Sequence, residues 1–479
     1  MAKLHSGATL TPSKVELLPS WVAKQRWYAA KDRLPDLDRI AAWRLDDPAG
    51  EVGIETLLVL DRGAPTPVVY QIPLTYRAAP LPGGAAALVG TIEHSVLGTR
   101  WVYDAPHDPV YAANLLALAQ GLVPAASSSD SDALEERVTG AAMSSATLTW
   151  RSSRVLAGEQ SNTSIIMMAT DEAGGERPVI AKVFRTLANG ENPDVILQGA
   201  LAAAGSLRVP ASLGAVRGSW PAPGESGTAS GHLAFVQEFL PGAQDAWREA
   251  LLWAASGRDF GVRARALGEA TAEVHSLLKQ SLPTEAVSPD AIADTLTSMR
   301  SRLAQAIAAA PSLADREPAI EATFVEAAAS TWPDFQRIHG DFHLGQVLDV
   351  PGRGWVLLDF EGEPMRPLSE RVRPDQPLRD IAGMLRSFDY VGGSVEQGTR
   401  GVSARGWVDG ARRAFLDGYA AHSGSDPRDH TALLAAYELD KALYEVVYEA
   451  SNRPTWVTIP IAAIDRLLPA TGSAKEESP

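Results

Sequence analysis

The sequence predicts an α+β chain in two lobes, strand-rich in its first half and helix-rich in its second. Before residue 243, short β-like runs alternate with Gly/Pro turns; beyond Gln244, long Ala/Leu/Arg/Glu segments continue almost unbroken. Size agrees, because 479 residues are about three domains' worth at ~150 residues each and can bury several cores unaided.

In chain order, TLLVL (56–60) and VVYQIPL (68–74) predict strands of a small α+β unit over residues 1–95. A second unit, 96–243, follows. Within it WRSSRVLAG, TSIIMMA and PVIAKVF read as three strands, a helix starts at Pro193 and carries VILQGALAAAG, and HLAFVQEFL is a further strand. Two stretches, 124–147 and 218–231, are rich in Ser, Gly, Pro and Ala and read as joints, the first a mobile surface loop. Residues 244–479 form the helical part, with helices expected over 245–280, 289–310 and 407–421. Only VLD and WVLLDFE interrupt them as strands.

Composition narrows the function. The balance of 43 basic and 58 acidic residues gives −15 without a compensating basic cluster, which disfavours nucleic acid and anionic membrane as partners and favours a small molecule. Cysteine is absent, so disulfides, thiolate metal sites and Cys nucleophiles are excluded. Neither a signal-peptide core nor an apolar run of ~18 residues occurs, and a cytoplasmic location is expected.

The chemistry concentrates in IHGDFHLGQVL (338–348) and WVLLDFEGEP (355–364). Phosphoryl transfer needs a carboxylate to orient and deprotonate the attacking hydroxyl, and oxygen ligands to hold Mg²⁺ against a triphosphate. Asp341 suits the first role, Gln346 and Asp359 the second. A lone Asp of this kind is more often a helix cap; the ordered set points to transfer. Upstream, GEQSNTS (158–164) is a turn of small polar residues between two strands, offering N–H groups and hydroxyls to phosphate from Gly158, Gln160, Ser161, Asn162 and Thr163. Lys182, amid apolar VIAKVF, would supply a point charge to the phosphates. Backbone groups near Glu238 and Phe239 are expected to meet adenine.

HGDFHLGQVL, LDFEGEP and GEQSNT resemble the aminoglycoside-phosphotransferase-like kinases. The chain is similar in particular to the actinobacterial maltokinases, through WVAKQRWYAAKDR (21–33), PLSERVRPDQPLRDIAGMLRSFDY (367–390) and YELDKALYEVVYEASNRPTWVTIP (437–460). The resemblance implies a bilobal protein-kinase-like fold with an extra N-terminal cap. It implies ATP and Mg²⁺ as cofactors and transfer of the γ-phosphate to the anomeric hydroxyl of maltose, between trehalose and α-glucan. It also implies that Asp341 is the base, that Gln346 and Asp359 are metal ligands, and that His343, Glu361, Tyr444, Glu445, Tyr448 and Arg453 line the sugar side. Trehalose synthase is a partner consistent with that route, and a monomer is the default. Glucosamine, another hexose or an aminoglycoside is the rival acceptor, since an acidic pocket of Asp359, Glu361, Glu445 and Glu449 would suit an ammonium as well as hydroxyls; a non-catalytic binding module is a more distant alternative.

The sequence departs from the kinase pattern at one point. The acid expected to pair with Lys182 from the next helix falls at Ile196; Glu191 and Asp194 are the candidates to substitute, although Asp194 reads first as a first-turn residue favoured by the helix dipole. His275 reads as a packed helix position, Asp380 as a loop-anchoring carboxylate, and Trp21, Trp27 and Tyr28 as packing in the cap.

Overall fold

The computed structural model describes residues 7–31, 33–63, 66–129, 134–156, 161–224, 227–364, 366–398 and 403–468. Two compact units emerge, Met1–Gly199 with Pro210–Pro241, and Ala200–Val209 with Gly242–Pro479.

The first unit opens with β1 (Leu10–Thr11) and two one-turn helices, α1 (Lys14–Leu17) and α2 (Pro19–Val22). Strands β2 (Leu37–Leu45), β3 (Gly53–Asp61), β4 (Val68–Arg77), β5 (Leu88–His94) and β6 (Gly98–Asp104) follow, then helix α3 (Pro109–Ala119) and β7 (Ala126–Ser127). Next come β8 (Val138–Ala142), β9 (Thr149–Val155), β10 (Asn162–Thr170), β11 (Glu176–Phe184), β12 (Thr186–Leu187), α4 (Pro193–Ala203), β13 (Ser212–Pro221) and β14 (Thr228–Glu238).

These strands make two antiparallel sheets. The first runs β1-β5-β6-β4-β3-β2-β7, with β12 added to β4, and the second runs β8-β13-β14-β11-β10-β9. The continuous apolar run TLLVL of β3 is explained by burial on both faces. Leu57 and Val59 join Trp21, Trp27, Tyr28 and Tyr70 in one core, while Leu58 and Leu60 join α3 and the second sheet in another. Successive side chains of a strand point to opposite faces, so a strand covered on both sides must be apolar throughout.

The two expected joints carry structure. Within 218–231, residues 218–221 and 228–231 belong to the paired ends of β13 and β14, which run from Ser212↔Gln237 to Pro221↔Thr228, because Ser, Gly and Ala fit a paired ladder as readily as a loop. Within 124–147, β7 and β8 attach to the edges of the first and second sheets; such short edge strands lack the alternation that reveals a longer one.

The second unit holds β15 (Gln244–Asp245), α5 (Ala246–Ala255), α6 (Gly261–Ser281), α7 (Pro289–Ala309), α8 (Glu317–Ala329), β16 (Val347–Val350) and β17 (Gly354–Leu357). Helices α9 (Leu368–Arg371), α10 (Pro377–Gly398), α11 (Arg405–Ser423), α12 (Thr431–Asn452) and α13 (Thr458–Leu467) complete it. The single helix expected over 245–280 is split into α5 and α6, since Gly257 adopts φ +65° and ends the first. Asp245 caps α5 and Ser288, ahead of Pro289, caps α7. Helix α10 is buried along most of its length and packs against α5, α11 and α12. Among the described residues, no helix is long and apolar enough to cross a membrane.

Candidate active site

The catalytic-loop candidates lie in the second unit, and their placement follows from a few buried polar anchors. His339 donates from Nε2 to the Leu358 carbonyl at 2.8 Å, which leaves Nδ1 to accept from the Asp341 amide at 3.4 Å. One ring thus ties the HGD loop to the residue just before Asp359. Asp380, at the start of α10, accepts from the amides of His339 (2.8 Å) and Gly340 (2.9 Å) and meets His275 Nε2 at 3.0 Å. Burial pushes the Asp380 carboxyl up, but its hydrogen bond to His275 and the neighbouring imidazoles and amides hold it below the usual carboxylate range. His275 is therefore a packed helix residue, with its other nitrogen on Tyr419 Oη at 3.0 Å, and Asp380 anchors the loop as expected. Gly383, one turn further along α10, is required by contact: a Cβ there would stand 2.5 Å from the Phe342 carbonyl.

Gln346 and Asp359 come together. The Gln346 amide donates to Asp359 Oδ2 at 3.3 Å, and among the described residues Asp359 is the one non-glycine with positive φ, +62°. Aspartate tolerates that conformation better than most residues but still stores strain. The Gln346 amide and the Asp359 carboxylate thus stand next to each other, and their oxygens are of the hard kind that a small divalent cation takes. His343 accepts from the Gly345 amide at 3.0 Å, and burial lowers its imidazole pKa.

Asp341 itself is held by a residue the sequence reading missed. Lys441, on α12, places its ammonium 3.0 Å from Asp341 Oδ1 and 2.8 Å from Glu363 Oε1. Glu363 also faces Arg302 at 3.5 Å, and Arg302 and Arg379 share Asp440 at 2.9 and 3.1 Å. Burial pushes the Glu363 carboxyl up, but the charges of Lys441, Arg302 and Arg379 prevail and hold it down at about 2. Burial disfavours the Lys441 charge, yet Asp341 and Glu363 raise its pKa well above the ordinary lysine value.

The remaining acceptor-side candidates cluster along α12. Tyr444 is half-buried, its ring 4.7 Å from the Lys441 ammonium and 5.8 Å from the Arg302 guanidinium. Glu445 receives both Nε (3.0 Å) and Nη2 (2.7 Å) of the fully buried Arg386. Arg453 grips Glu449 through two bonds of 2.6 and 2.9 Å, and Tyr390 donates to the same carboxylate at 3.2 Å. Tyr448 is exposed, with Arg453 5.9 Å from its ring. Of the four acids expected to form an acidic pocket, Asp359, Glu361, Glu445 and Glu449, the last two are each engaged by an arginine. Glu361 lies on the loop beyond β17, its carbonyl accepting from Arg371 at 2.8 Å.

The nucleotide-side candidates belong to the first unit. Lys182 sits in the central strand β11, opposite Ser164 on β10 and Phe235 on β14, and its ammonium lies 2.7 Å from Asp194. Asp194 is thus the acid that pairs with Lys182, and the reading of it as a dipole-stabilising residue is corrected. The same carboxylate also accepts from Gln198. Glu191, the other candidate, is taken by Arg217 at 3.0 Å. Ser161 is exposed and Asn162 begins β10. Thr163 accepts from Arg185 Nε at 2.8 Å, and that buried guanidinium also meets Asp104 at 2.7 Å and lies 5.3 Å from the Trp27 ring. Gly158 and Gln160 lie outside the described residues. The amides of Glu238 and Phe239 are already donated to the carbonyls of Ala211 (2.8 Å) and Pro178 (3.0 Å), so a base contact from this segment would use carbonyl oxygens or the residues beyond.

With this geometry in place, comparison with known proteins is informative. Residues 155–433 match the phosphotransferase enzyme family, and residues 21–108 match the maltokinase N-terminal cap domain. The chain belongs to the phosphotransferase enzyme family. Among relatives of this phosphotransferase, the glucosamine kinase of Streptacidiphilus jiangxiensis is 30% identical over 338 residues, 65% of this chain and 72% of that protein. The glucosamine kinase of Mycolicibacterium smegmatis is 28% identical over 348 residues, 64% and 83% of the two chains. The fold is shared with a solved glucosamine kinase in complex with glucosamine, ADP and inorganic phosphate, at TM-score 0.64 and 23% identity, over 96% of this chain and all of that one.

Proposed function

We propose that this phosphotransferase is an ATP-dependent sugar kinase whose acceptor is maltose and whose product is maltose 1-phosphate. Asp341 takes the proton of the attacking hydroxyl as the new O–P bond forms, and the β–γ bridging oxygen leaves with its electron pair on ADP. Lys182, steadied by Asp194, binds the nucleotide phosphates. Gln346 and Asp359 would hold Mg²⁺, which when bound neutralises developing phosphate charge. His343, Glu361, Tyr444 and Tyr448 contact the sugar, while Glu445 and Arg453 support that side through their own ion pairs.

One observation carries the choice of a neutral acceptor. All four carboxylates of α12 already have a cation close by: Glu438 with Arg412 (2.7 Å), Asp440 with Arg302 (2.9 Å), Glu445 with Arg386 (2.7 Å) and Glu449 with Arg453 (2.6 Å). An ammonium is best bound by an uncompensated carboxylate, whereas hydroxyls and C–H faces are served by paired acids, amides and aromatic rings. The match to a maltokinase cap points the same way. Glucosamine is the second reading, favoured by the two glucosamine kinases among the relatives. With maltose as acceptor the enzyme would act between trehalose and α-glucan, as a cytoplasmic monomer that could work beside a trehalose synthase.

Coupled ADP release with maltose, glucosamine and kanamycin side by side decides between them. Turnover with maltose exceeding that with glucosamine is expected. Robust glucosamine turnover with none on maltose overturns the acceptor and leaves the phosphotransfer chemistry in place.

A further inference from the structure

The ion-pair network behind Asp341 has a job beyond packing. Lys441 is nearly buried, and its ammonium has two acidic neighbours that differ in kind. Asp341 lies on the catalytic loop, whereas Glu363, the Glu of DFEGEP, is buried and held by Arg302 as well. Among the described residues Lys441 is the one side chain that donates a hydrogen bond to the Asp341 carboxylate, and the amide contact with His339 fixes the backbone and not the carboxylate. A free aspartate on a loop samples several rotamers, and a misplacement of about 1 Å in a reacting group can lower a rate ~10²-fold.

Resting on the reading of Asp341 as the base, we propose that Lys441 is its positioning residue, an ammonium seated on Glu363 that holds the Asp341 carboxylate in one rotamer and links it to the helix bearing Tyr444. The double pairing suits this task during turnover. When Asp341 accepts the hydroxyl proton it loses its charge, yet Lys441 keeps Glu363 as a counter-ion and stays in place. A lysine paired with Asp341 alone would be left as a buried, uncompensated cation at that moment. Tyr444 adds a further link, because the ammonium also lies over its ring; the acceptor-side helix and the base are thereby set by one side chain.

The test separates positioning from support. Lys441→Met leaves Glu363 buried with a weaker counter-charge, so it lowers both thermal stability and kcat. Lys441→Met combined with Glu363→Gln removes both charges and leaves Arg302 its partner Asp440. We expect the double variant to regain most of the melting temperature lost by the single one, while kcat in both stays ~10²-fold below wild type with the KM for ATP changed less than threefold. Recovery of kcat together with melting temperature would reduce Lys441 to a structural residue. A large rise in the KM for ATP at unchanged kcat would make it a nucleotide ligand instead. Asp341→Asn is run in parallel: full activity there sinks the base assignment itself, whatever the Lys441 variants do.

Discussion

Lys182 and Asp194 form a buried ion pair of 2.7 Å between the central strand of the second sheet and the first turn of α4. A lysine amid the apolar neighbours of β11 would lose its charge or leave the core without such a partner. The pair therefore fixes the ammonium in the apolar part of the strand, while Arg177 near its start pairs with Asp171.

Lys182→Ala should raise the KM for ATP at least tenfold, the effect of losing a charge-assisted contact of roughly 1.5–3 kcal/mol. Asp194→Asn should raise it too, by freeing the ammonium from its seat. The check is initial rate against ATP concentration at saturating sugar. A KM for ATP unchanged in both variants would remove the pair from the nucleotide site.

Asp341→Ala should lower kcat by about 10³-fold, the usual contribution of a positioned general base, with nucleotide affinity nearly intact. Titration calorimetry with ADP and a coupled rate assay measure the two quantities on one preparation. Activity equal to wild type would take Asp341 out of the chemistry.

The contrast between these residues shows how far the sequence could be read. Asp341, Gln346 and Asp359 fall within two adjoining segments, so their order and spacing alone bring them forward as candidates. Lys441 lies 100 residues after Asp341, in a helix where YELDKALYEVVYEA has the same pattern whether its lysine is solvated or buried. Asp194 was visible and the helix start at Pro193 was read where α4 begins, but the kinase spacing pointed to Ile196, and an acid in a first turn is accounted for by the helix dipole alone. Strands β3, β4, β9, β10, β11 and β14 were legible, most of them from apolar runs, whereas β2, β5, β6 and β13, with their more mixed sequences, were not singled out. Nor were the edge strands β7 and β8 and the paired residues within 218–231, since small polar residues serve turns and ladders alike.

Acid should weaken the network around Glu363 in a defined window. Its carboxyl is held at about 2 in the folded protein, below the ordinary 4.5, so the folded state binds the proton less readily than the unfolded one. The stabilisation is complete above about pH 4.5 and is lost as pH falls toward about 2; for a group buried this deeply it amounts to roughly 3 kcal/mol. Urea unfolding of wild type and Glu363→Gln at a series of pH values should show a stability gap that is largest near neutrality and shrinks below pH 4.5. A gap independent of pH over that range would mean that the carboxylate charge contributes nothing to folding.

Gly383→Ala provides a test in which two effects oppose each other. In a helix interior the change ordinarily adds about 1 kcal/mol of stability, since alanine is the better helix former. Here the new methyl would stand 2.5 Å from the Phe342 carbonyl, and that oxygen belongs to the backbone of the loop carrying Asp341, not to a side chain that can rotate away. Overpacking against a fixed group costs about 1–3 kcal/mol, enough to reverse the sign. The variant should therefore melt below wild type. The strain should also appear in kcat, because the loop can relieve the clash only by moving away from α10 and from the Asp380 carboxylate that holds it. Gly398→Ala at the end of the same helix, where a Cβ meets nothing within 4 Å, serves as the control. Equal or higher melting temperature for Gly383→Ala, with wild-type kcat, would show that α10 does not set the position of the loop carrying Asp341.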